Sequence, residues 1–307
     1  MSYPATVKIV EVGPRDGLQN EPKPVDVSVK VALIERLADA GVPYIEAGSF
    51  VSPKWVPQMA GSEQVFSSIK RKASTTYAAL TPNLAGFERA ISVNASEIAI
   101  FAAASESFSQ KNINCSIAES IARFAPVMTA AKEKGIAVRG YVSRVFGCPY
   151  DGATAPASVL DVSQQLLELG CYEISLGDTI GVGTPGSVEK LLATLIENIP
   201  PHKLAVHFHD TYGQALANIL LALQHGITVI DSSVAGLGGC PYAQGASGNV
   251  ASEDVVYMLR GLGIKTGIDL HKLVAAGNYI SAQLGRDNQS RVARAMSGKN
   301  EAQKANP

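Results

Sequence analysis

Eight short apolar runs alternate with segments of helical periodicity along this chain, and this alternation restricts its fold more than any other feature. The runs are residues 7–12, 44–47, 75–80, 97–102, 137–143, 173–176, 204–209 and 229–233. Between them apolar residues recur at helical spacing, as at Val27, Val31, Ile34 and Ala38. Strands that alternate with helices are typical of βαβ units, so the pattern predicts an α/β fold with a parallel sheet.

The regular helix endings favour a closed (β/α)8 TIM barrel. Gly41, Gly135, Gly170 and Gly226 each come just before a predicted strand, where glycine can end a helix in left-handed backbone. A doubly wound open sheet is the alternative, because it shows the same alternation. After the eighth run we predict extra C-terminal helices at about residues 252–262 and 270–284.

No linker or low-complexity tract interrupts this pattern, which predicts a single barrel domain over residues 1–307. We place the barrel at about residues 7–262, a helical extension at about 263–285 and a polar tail at 286–307. With 46% hydrophobic and 17% charged residues, a chain of this length can bury a large core.

The composition also excludes several classes of protein. A net charge of -1 is too small to attract nucleic acid or an anionic membrane. The apolar runs are shorter than the roughly 18 to 20 residues that a membrane span needs. The four cysteines form no CxxC pair and the N-terminus shows no targeting segment, so we expect a cytoplasmic, bacterial protein.

Polar side chains gather where the predicted strands end. In a barrel the active site lies at the carboxyl ends of the strands, so residues from distant parts of the chain can form one site. The candidates are Arg15, Asp16 and Gln19 after the first strand, Glu46 in the second, Asp178 after the sixth, His207 and His209 in the seventh, and Cys240 and Asn249 beyond the eighth. We expect these residues to share one active site.

His207 and His209 are the sharpest indication of a metal site. Alternate residues of a strand point to the same face, so both imidazoles project inward while Phe208 points to the helices. A pair of core or surface histidines is the alternative. Together with Asp16 and Asn249 they form an oxygen and nitrogen set that suits Mg²⁺ or Mn²⁺ better than a closed zinc site. Taken alone, Asp16 could be a turn residue and Asn249 a helix cap.

Three further side chains suit roles around such a metal. A fixed Arg15 could stabilise the charge of an enolate or thioester oxygen, and a solvated surface arginine is the alternative. Glu46 could orient a metal-bound water, or it could cap a backbone group. Cys240 lies in a glycine-rich loop that could carry a proton donor over a substrate. Cys171, by contrast, is predicted to be a small core residue.

Residues 181–186 match the GxGxxG pattern, but we predict no dinucleotide site there. The match does not follow its strand directly and falls in the sixth unit of the chain, whereas a dinucleotide fingerprint opens its domain. We predict instead a turn that leads into a helix, with Pro185 near the first helical position.

Five segments resemble the signatures of the 3-hydroxy-3-methylglutaryl-CoA lyase family, within the wider group of metal-dependent lyases and Claisen-type synthases built on one barrel. They are VGPRDGLQNE, SFVSPKWVPQM, EISLGDTIGVGTPG, HFHDTYGQALAN and SVAGLGGCPYAQGASGN. The likeness runs from about Val7 to Leu284 and includes the order of the segments. Unlike animal members of the family, this sequence has no transit peptide and no cysteine after Cys240.

This resemblance implies a carbon–carbon lyase that cleaves 3-hydroxy-3-methylglutaryl-CoA to acetyl-CoA and acetoacetate, as in leucine degradation and ketone-body formation. It implies a divalent cation, Mg²⁺ or Mn²⁺, a CoA thioester substrate and a homodimer. The implied metal ligands are Asp16, His207, His209 and Asn249. The implied catalytic residues are Arg15, Cys240, His207, Asp16 and Glu46. The implied substrate-binding residues are Arg15, Gln19, Ser49, Arg139, Tyr141 and Asp178.

Several alternatives stay open at this point. Either His207 or Asp16 could be the general base. The acyl group could be methyl or a longer, isoprenoid-branched chain. A synthase of the isopropylmalate or citramalate type is disfavoured, because such sequences carry a regulatory region and a GERAGNA-like segment where Cys240 stands. A catalytically silent metal-binding barrel is disfavoured by the joint presence of ligands, cationic side chain and loop thiol.

Overall fold

Eight parallel strands close into one barrel in the computed structural model. It describes residues 3–22, 24–240 and 243–305, with their side chains except those of residues 112, 240, 243–247 and 299–305. The barrel strands are β1 (Lys8–Glu11), β2 (Tyr44–Ser49), β3 (Thr76–Leu80), β4 (Glu97–Ala103), β5 (Val138–Ser143), β6 (Glu173–Asp178), β7 (Leu204–Phe208) and β8 (Val229–Ser232). They follow one another in chain order around the barrel, and β8 pairs with β1 to close it. The predicted TIM barrel is confirmed, and the open sheet is wrong.

Twelve helices follow or flank these strands in the described part of the chain. They are α1 (Val27–Asp39), α2 (Ser62–Ser68), α3 (Leu84–Ser92), α4 (Glu106–Ile113), α5 (Ile117–Ala122), α6 (Ala125–Glu133), α7 (Pro156–Leu169), α8 (Pro185–Ile196), α9 (Ala215–Gln224), α10 (Ser252–Gly261), α11 (Leu270–Leu284) and α12 (Arg291–Ala305). The last of these lies where we expected only a polar tail. Ala293 is buried and Val292 and Met296 pack against the core, so α12 is held by one apolar stripe in a polar sequence.

The predicted glycine stops are found at all four positions, each with a positive φ. Gly170 ends α7 at a φ of 117°. At Gly41, with a φ of 89°, a Cβ would lie 2.7 Å from the carbonyl oxygen of Gly267. A larger residue at Gly41 would therefore be strained both by its backbone and by this contact.

Residues of each strand alternate between the helix layer and the barrel interior. In β7, Val206 and Phe208 belong to the large core between barrel and helices, as predicted for Phe208. Their inward neighbours include Ala205, which packs in a small interior cluster with Val10, Val12, Tyr44, Ala78 and Val229. A second small cluster contains Leu80, Ala99 and Tyr141, and buried charged groups such as Arg139, Glu173 and Asp231 lie on the barrel strands.

Two turns at the carboxyl ends are anchored by buried carboxylates. A π-helical turn, Gly13–Gly17, follows β1, and a 3-10 turn, Val234–Gly236, follows β8. Glu11 accepts hydrogen bonds from the backbone N–H groups of Gly13 and Val234, at 2.8 and 2.9 Å. Glu253 accepts from the N–H of Ala235, whose φ is 57°. The first and last active-site loops are thus tied to each other through Glu11.

We expect Glu253→Gln to flatten the pH dependence of stability. Burial raises the pKa of Glu253 to about 8 from 4.5, even though hydrogen bonds from Ala235 and Asn288 oppose the shift. Because the folded chain keeps a proton that the unfolded chain releases above pH 4.5, the free energy of unfolding falls as the pH rises toward 8. Glutamine keeps an acceptor for Ala235 but cannot ionise.

Thermal melts between pH 5 and 8.5 measure this effect, and the midpoint should fall by a few degrees more in the parent chain than in the variant. Part of the pH dependence of stability should remain in the variant, because burial raises the pKa of Glu11 to about 7. Parallel curves for the two proteins would show that Glu253 is ionised in the folded state throughout this range.

Among the described residues, no helix is long and apolar enough to cross a bilayer.

Candidate metal centre and active site

Asp16, His207 and His209 meet at the carboxyl end of the barrel. Asp16 lies in the π-helical turn after β1, His207 lies in β7 and His209 follows β7 directly. One ligand atom from each lies within 4.8 Å of the others. The two Nε2 atoms are 3.3 Å apart, and His207 Nε2 is 3.9 Å from Asp16 Oδ2. The histidines are therefore neither surface residues nor separate core residues but parts of one cluster.

The spacing and chemistry of these atoms fit a divalent cation. Ligands around Mg²⁺ lie at about 2.1 Å from the ion, which puts adjacent ligand atoms roughly 3 Å apart. Burial would raise the pKa of Asp16, but the charges of Arg15, His207 and His209 lower it to about 2. Burial and the neighbouring His207 lower the pKa of His209 to about 3. The cluster thus offers an anionic oxygen and a neutral imidazole at neutral pH.

Asn249 lies beside this cluster. Its Nδ2 donates hydrogen bonds to Asp16 Oδ2 at 2.7 Å and to the Leu237 carbonyl at 3.3 Å. Its backbone forms a β-bridge with His209. The alternative role of helix cap is wrong, because Ala251 precedes α10 as its N-cap. The structure therefore brings all four predicted ligands together.

Arg15 is buried at the edge of the cluster, so the alternative of a solvated surface arginine is wrong. Its Nε donates to Glu46 Oε2 at 2.6 Å, and its Nη1 donates to Asp16 Oδ1 at 2.8 Å. Burial alone would lower the pKa of Arg15, but Glu46 and Asp16 raise it. A permanent positive charge is thus held next to Asp16.

Glu46 binds the arginine and caps no backbone group among the described contacts. Burial raises the pKa of Glu46 although Arg15 acts in the opposite direction. Its second oxygen, Oε1, is buried and has no hydrogen-bond partner in the described structure. This oxygen can accept a hydrogen bond from a water or a substrate group at the site.

Tyr141 closes one side of the site. Its ring meets the His207 ring edge to face, with the centroids 6.2 Å apart. The guanidinium groups of Arg15 and Arg139 lie 5.7 and 4.9 Å from its ring centre. Its hydroxyl is buried without a hydrogen-bond partner among the described residues, so it is available to a polar group that enters the site.

The other predicted substrate residues lie around the same end of the barrel. Gln19 has a buried Oε1 with no partner in the described part of the chain. Ser49 ends β2, and its hydroxyl accepts from the N–H of Val51 at 3.3 Å. Asp178 ends β6 and accepts from the N–H groups of Val182 and Gly183. Burial raises the pKa of Asp178 to about 6 despite these bonds.

The contacts of Asp178 also explain the glycine-rich segment after β6. A Cβ at Gly183 would lie 2.6 Å from the Phe146 ring and 2.8 Å from Asp178 Oδ2, so no larger residue fits. Thr184 is the N-cap of α8 and Pro185 is its first residue. The prediction of a turn into a helix is confirmed, and the GxGxxG match serves packing around Asp178.

Sequence reasoning missed a buried ion-pair network directly below His207. Asp231, in β8, accepts hydrogen bonds from Arg139 at 2.7 and 2.9 Å and lies 3.2 Å from His207 Nδ1. Arg139 Nε donates to Glu173 Oε1 at 2.8 Å, and Ser175 Oγ donates to Asp231. An aspartate in the apolar run of β8 was a signal for this network. A direct contact of Arg139 with the acyl group stays a prediction.

The side chain of Cys240 lies outside the described residues, so its predicted role is not tested. Its backbone forms a short strand, Gly239–Cys240, that pairs with Ala243–Ser247. Cys171 is a buried core residue as predicted, and burial raises the pKa of its thiol to about 12. Cys115 and Cys148 are buried free thiols.

Comparisons with known proteins show which proteins this chain is similar to. The chain is 59% identical over 299 residues to a 3-hydroxy-3-isohexenylglutaryl-CoA/hydroxymethylglutaryl-CoA lyase of Pseudomonas aeruginosa, covering 97% of this chain and 100% of the relative. A crystal structure of hydroxymethylglutaryl-CoA lyase from the same species matches with a TM-score of 0.96 at 59% identity, over 97% of this chain and 100% of that one.

Another solved structure that is similar to this chain contains bound ligands. It is an HMG-CoA lyase from Acinetobacter baumannii in complex with coenzyme A and 3-methylmalate, with 38% identity and a TM-score of 0.90 over 96% of each chain. The family model described as HMGL-like matches residues 6–280, which include every residue of the site. From its sequence, its barrel and this site, the chain belongs to the HMGL-like family.

Proposed function

We propose that this chain is a metal-dependent carbon–carbon lyase that cleaves 3-hydroxy-3-methylglutaryl-CoA to acetyl-CoA and acetoacetate. The observation that carries the proposal is the Asp16, His207 and His209 cluster with the buried Arg15–Glu46 pair beside it. This cluster lies in a chain 59% identical to a curated lyase over nearly its whole length.

We assign the cation as Mg²⁺ or Mn²⁺, with Asp16, His207, His209 and Asn249 as its protein ligands. An oxygen-containing set with open positions suits these ions, and the absence of a cysteine among the four disfavours a structural zinc. When bound, the cation supplies Lewis-acid polarisation of the substrate hydroxyl.

The chain's own residues then move the protons. Asp16 takes the proton of the tertiary hydroxyl, because both ring nitrogens of His207 are engaged, Nδ1 at Asp231 and Nε2 at the cluster. The electron pair released forms the ketone of acetoacetate as the carbon–carbon bond breaks. Arg15, held in place by Glu46, faces the negative charge that develops on the thioester enolate. The Cys240 thiol gives its proton to the enolate carbon, which completes acetyl-CoA.

Four side chains are proposed to line the acyl pocket: Gln19, Ser49, Arg139 and Tyr141. The unpaired hydroxyl of Tyr141 and the unpaired Oε1 of Gln19 support contacts with polar substrate atoms. Asp178 is proposed to shape this pocket through the loop that it holds. A second candidate substrate carries an isohexenyl group in place of methyl, because the Pseudomonas aeruginosa relative is named for both acyl groups.

The test is a turnover assay with purified protein and Mg²⁺, in which acetoacetate release from the methyl substrate is measured beside cleavage of the isohexenyl substrate. We expect cleavage of the methyl substrate at a turnover number of about 1 to 10³ s⁻¹, the usual range for enzymes. Cleavage of the isohexenyl substrate alone would favour the second candidate. Inactivity toward both would support a silent metal-binding barrel.

We also propose that the chain works as one barrel domain and as a cytoplasmic enzyme. The packing of α11 against α1 and of α12 against α10 supports one domain. The free thiols of Cys115, Cys148 and Cys171 fit a reducing compartment. A homodimer stays a prediction from the family resemblance.

A further inference from the structure

We infer that Asp231 is a positioning residue that orients His207 toward the cation. In this role its carboxylate accepts the Nδ1–H of His207, so that His207 Nε2 presents its lone pair to the metal site. The inference deepens the proposed function and rests on the metal site assigned there.

The first observation that supports this inference is that the neighbours of Asp231 all donate hydrogen bonds to its carboxylate, which acts only as an acceptor. The residue lies in β8 and is 1% exposed. Arg139 donates to both of its oxygens, with Nη2 at 2.7 Å from Oδ1 and Nη1 at 2.9 Å from Oδ2. Ser175 Oγ donates to Oδ2 at 2.8 Å. Because Oδ2 already accepts from Arg139 and Ser175 and has no hydrogen of its own to offer in this arrangement, we infer that the His207 nitrogen 3.2 Å away is a further donor to it.

The second support is the direction of the opposite ring nitrogen. His207 Nε2 faces His209 Nε2 at 3.3 Å and Asp16 Oδ2 at 3.9 Å. A neutral imidazole with its hydrogen on Nδ1 has its lone pair on Nε2, which is the atom a cation needs. The Tyr141 ring packs edge to face against His207 and limits rotation of the imidazole.

The two histidines differ in this respect. His209 Nδ1 is buried and has no hydrogen-bond partner among the described residues. His207 alone of the pair is therefore tied to a fixed carboxylate.

Asp231 is itself fixed from below by the barrel interior. Arg139 donates through Nε to Glu173 Oε1 at 2.8 Å, and Glu173 Oε2 lies 3.2 Å from Lys8 Nζ. The guanidinium of Arg139 is thus held at both ends and cannot follow a displaced carboxylate. The orientation of His207 is determined by a chain of contacts that spans β8, β5 and β6.

Asp231→Asn tests the inference, because the shape is kept while one acceptor oxygen becomes an N–H donor. If the amide nitrogen replaces Oδ1, it faces Arg139 Nη2, and if it replaces Oδ2, it faces Arg139 Nη1, Ser175 and His207. We expect Mn²⁺ affinity, measured from the free-ion electron paramagnetic resonance signal, to fall by about 10- to 100-fold. Ser175→Ala is the matched control, because it removes the Ser175 hydrogen bond to Asp231 Oδ2 and leaves the contact between Asp231 and His207 in place. The Mn²⁺ affinity of this variant should differ from that of the parent protein by less than about threefold.

A second measurement needs no substitution at Asp231. In the Mg²⁺-loaded parent protein labelled with 15N-histidine, the ring signals of His207, assigned by their loss in His207→Ala, should show the hydrogen on Nδ1. A hydrogen on Nε2, or unchanged Mn²⁺ binding by folded Asp231→Asn, would overturn the positioning role. Failure of the parent protein to bind Mn²⁺ would instead overturn the metal site of the proposed function and this inference with it.

Discussion

Exhaustive chelation should abolish cleavage of the CoA thioester, and added Mg²⁺ or Mn²⁺ should restore it. The reason is that the proposed mechanism depends on the cation to acidify the tertiary hydroxyl, which otherwise keeps its proton near neutral pH. Turnover is measured after dialysis against chelator and again as each ion is titrated back. We expect turnover to fall to the uncatalysed background rate after chelation and to recover when either ion is added.

Asp16→Asn is the matched variant for this experiment. Asparagine keeps an oxygen for the cation but removes the charge, so half-maximal activity should require at least about tenfold more Mg²⁺. Full activity after complete metal removal would exclude the metal assignment, whatever the behaviour of the variant.

Replacing Cys240 by serine should separate binding from catalysis. A serine hydroxyl neither alters the metal ligands nor matches the acidity of a thiol, so the variant should bind metal and substrate while turnover falls by about 10²- to 10⁴-fold, the usual cost of losing a general acid. Single-turnover cleavage and substrate affinity of the variant are the measurements. Alkylation should inactivate the parent protein, and bound substrate should slow that inactivation.

Cys148→Ser is the control for this substitution. Cys148 is buried and its sulfur accepts a hydrogen bond from Ser105 Oγ at 2.9 Å, which a serine oxygen can also accept. Turnover of the control should stay within about threefold of the parent. Parental single-turnover rates in Cys240→Ser would remove this thiol from the mechanism.

The barrel could be predicted because its signals are local. Each strand was found within two residues of its predicted ends, since hydrophobic periodicity depends on near neighbours in sequence. α12 was missed because its sequence is mostly polar, and only the tertiary structure shows that its few apolar residues pack against the core beside α10 and α11.

The meeting of His207, His209, Asp16 and Asn249 could be predicted from two general properties of this fold. Alternate residues of β7 share a face, which puts His207 and His209 side by side. The carboxyl ends of all strands meet at one end of a barrel, which brings Asp16 and Asn249 to them. Neither inference requires a measured distance between atoms. Both could therefore be drawn from the residue types and their order in the sequence.

The network behind the cluster was decided only by the tertiary structure. Arg139 and Asp231 are 92 residues apart. A charged residue inside an apolar run indicates that it needs a buried partner, but neither run shows which residue that partner is. The burial of Arg15 depends in the same way on Glu46, 31 residues away. The sequence by itself determined the strands, the helices that alternate with them and which residues reach the active-site end, because these follow from local periodicity and strand order; it did not determine α12. Which buried charges pair there depends on closure of the barrel, since only a closed barrel brings β1, β5, β6 and β8 around one interior.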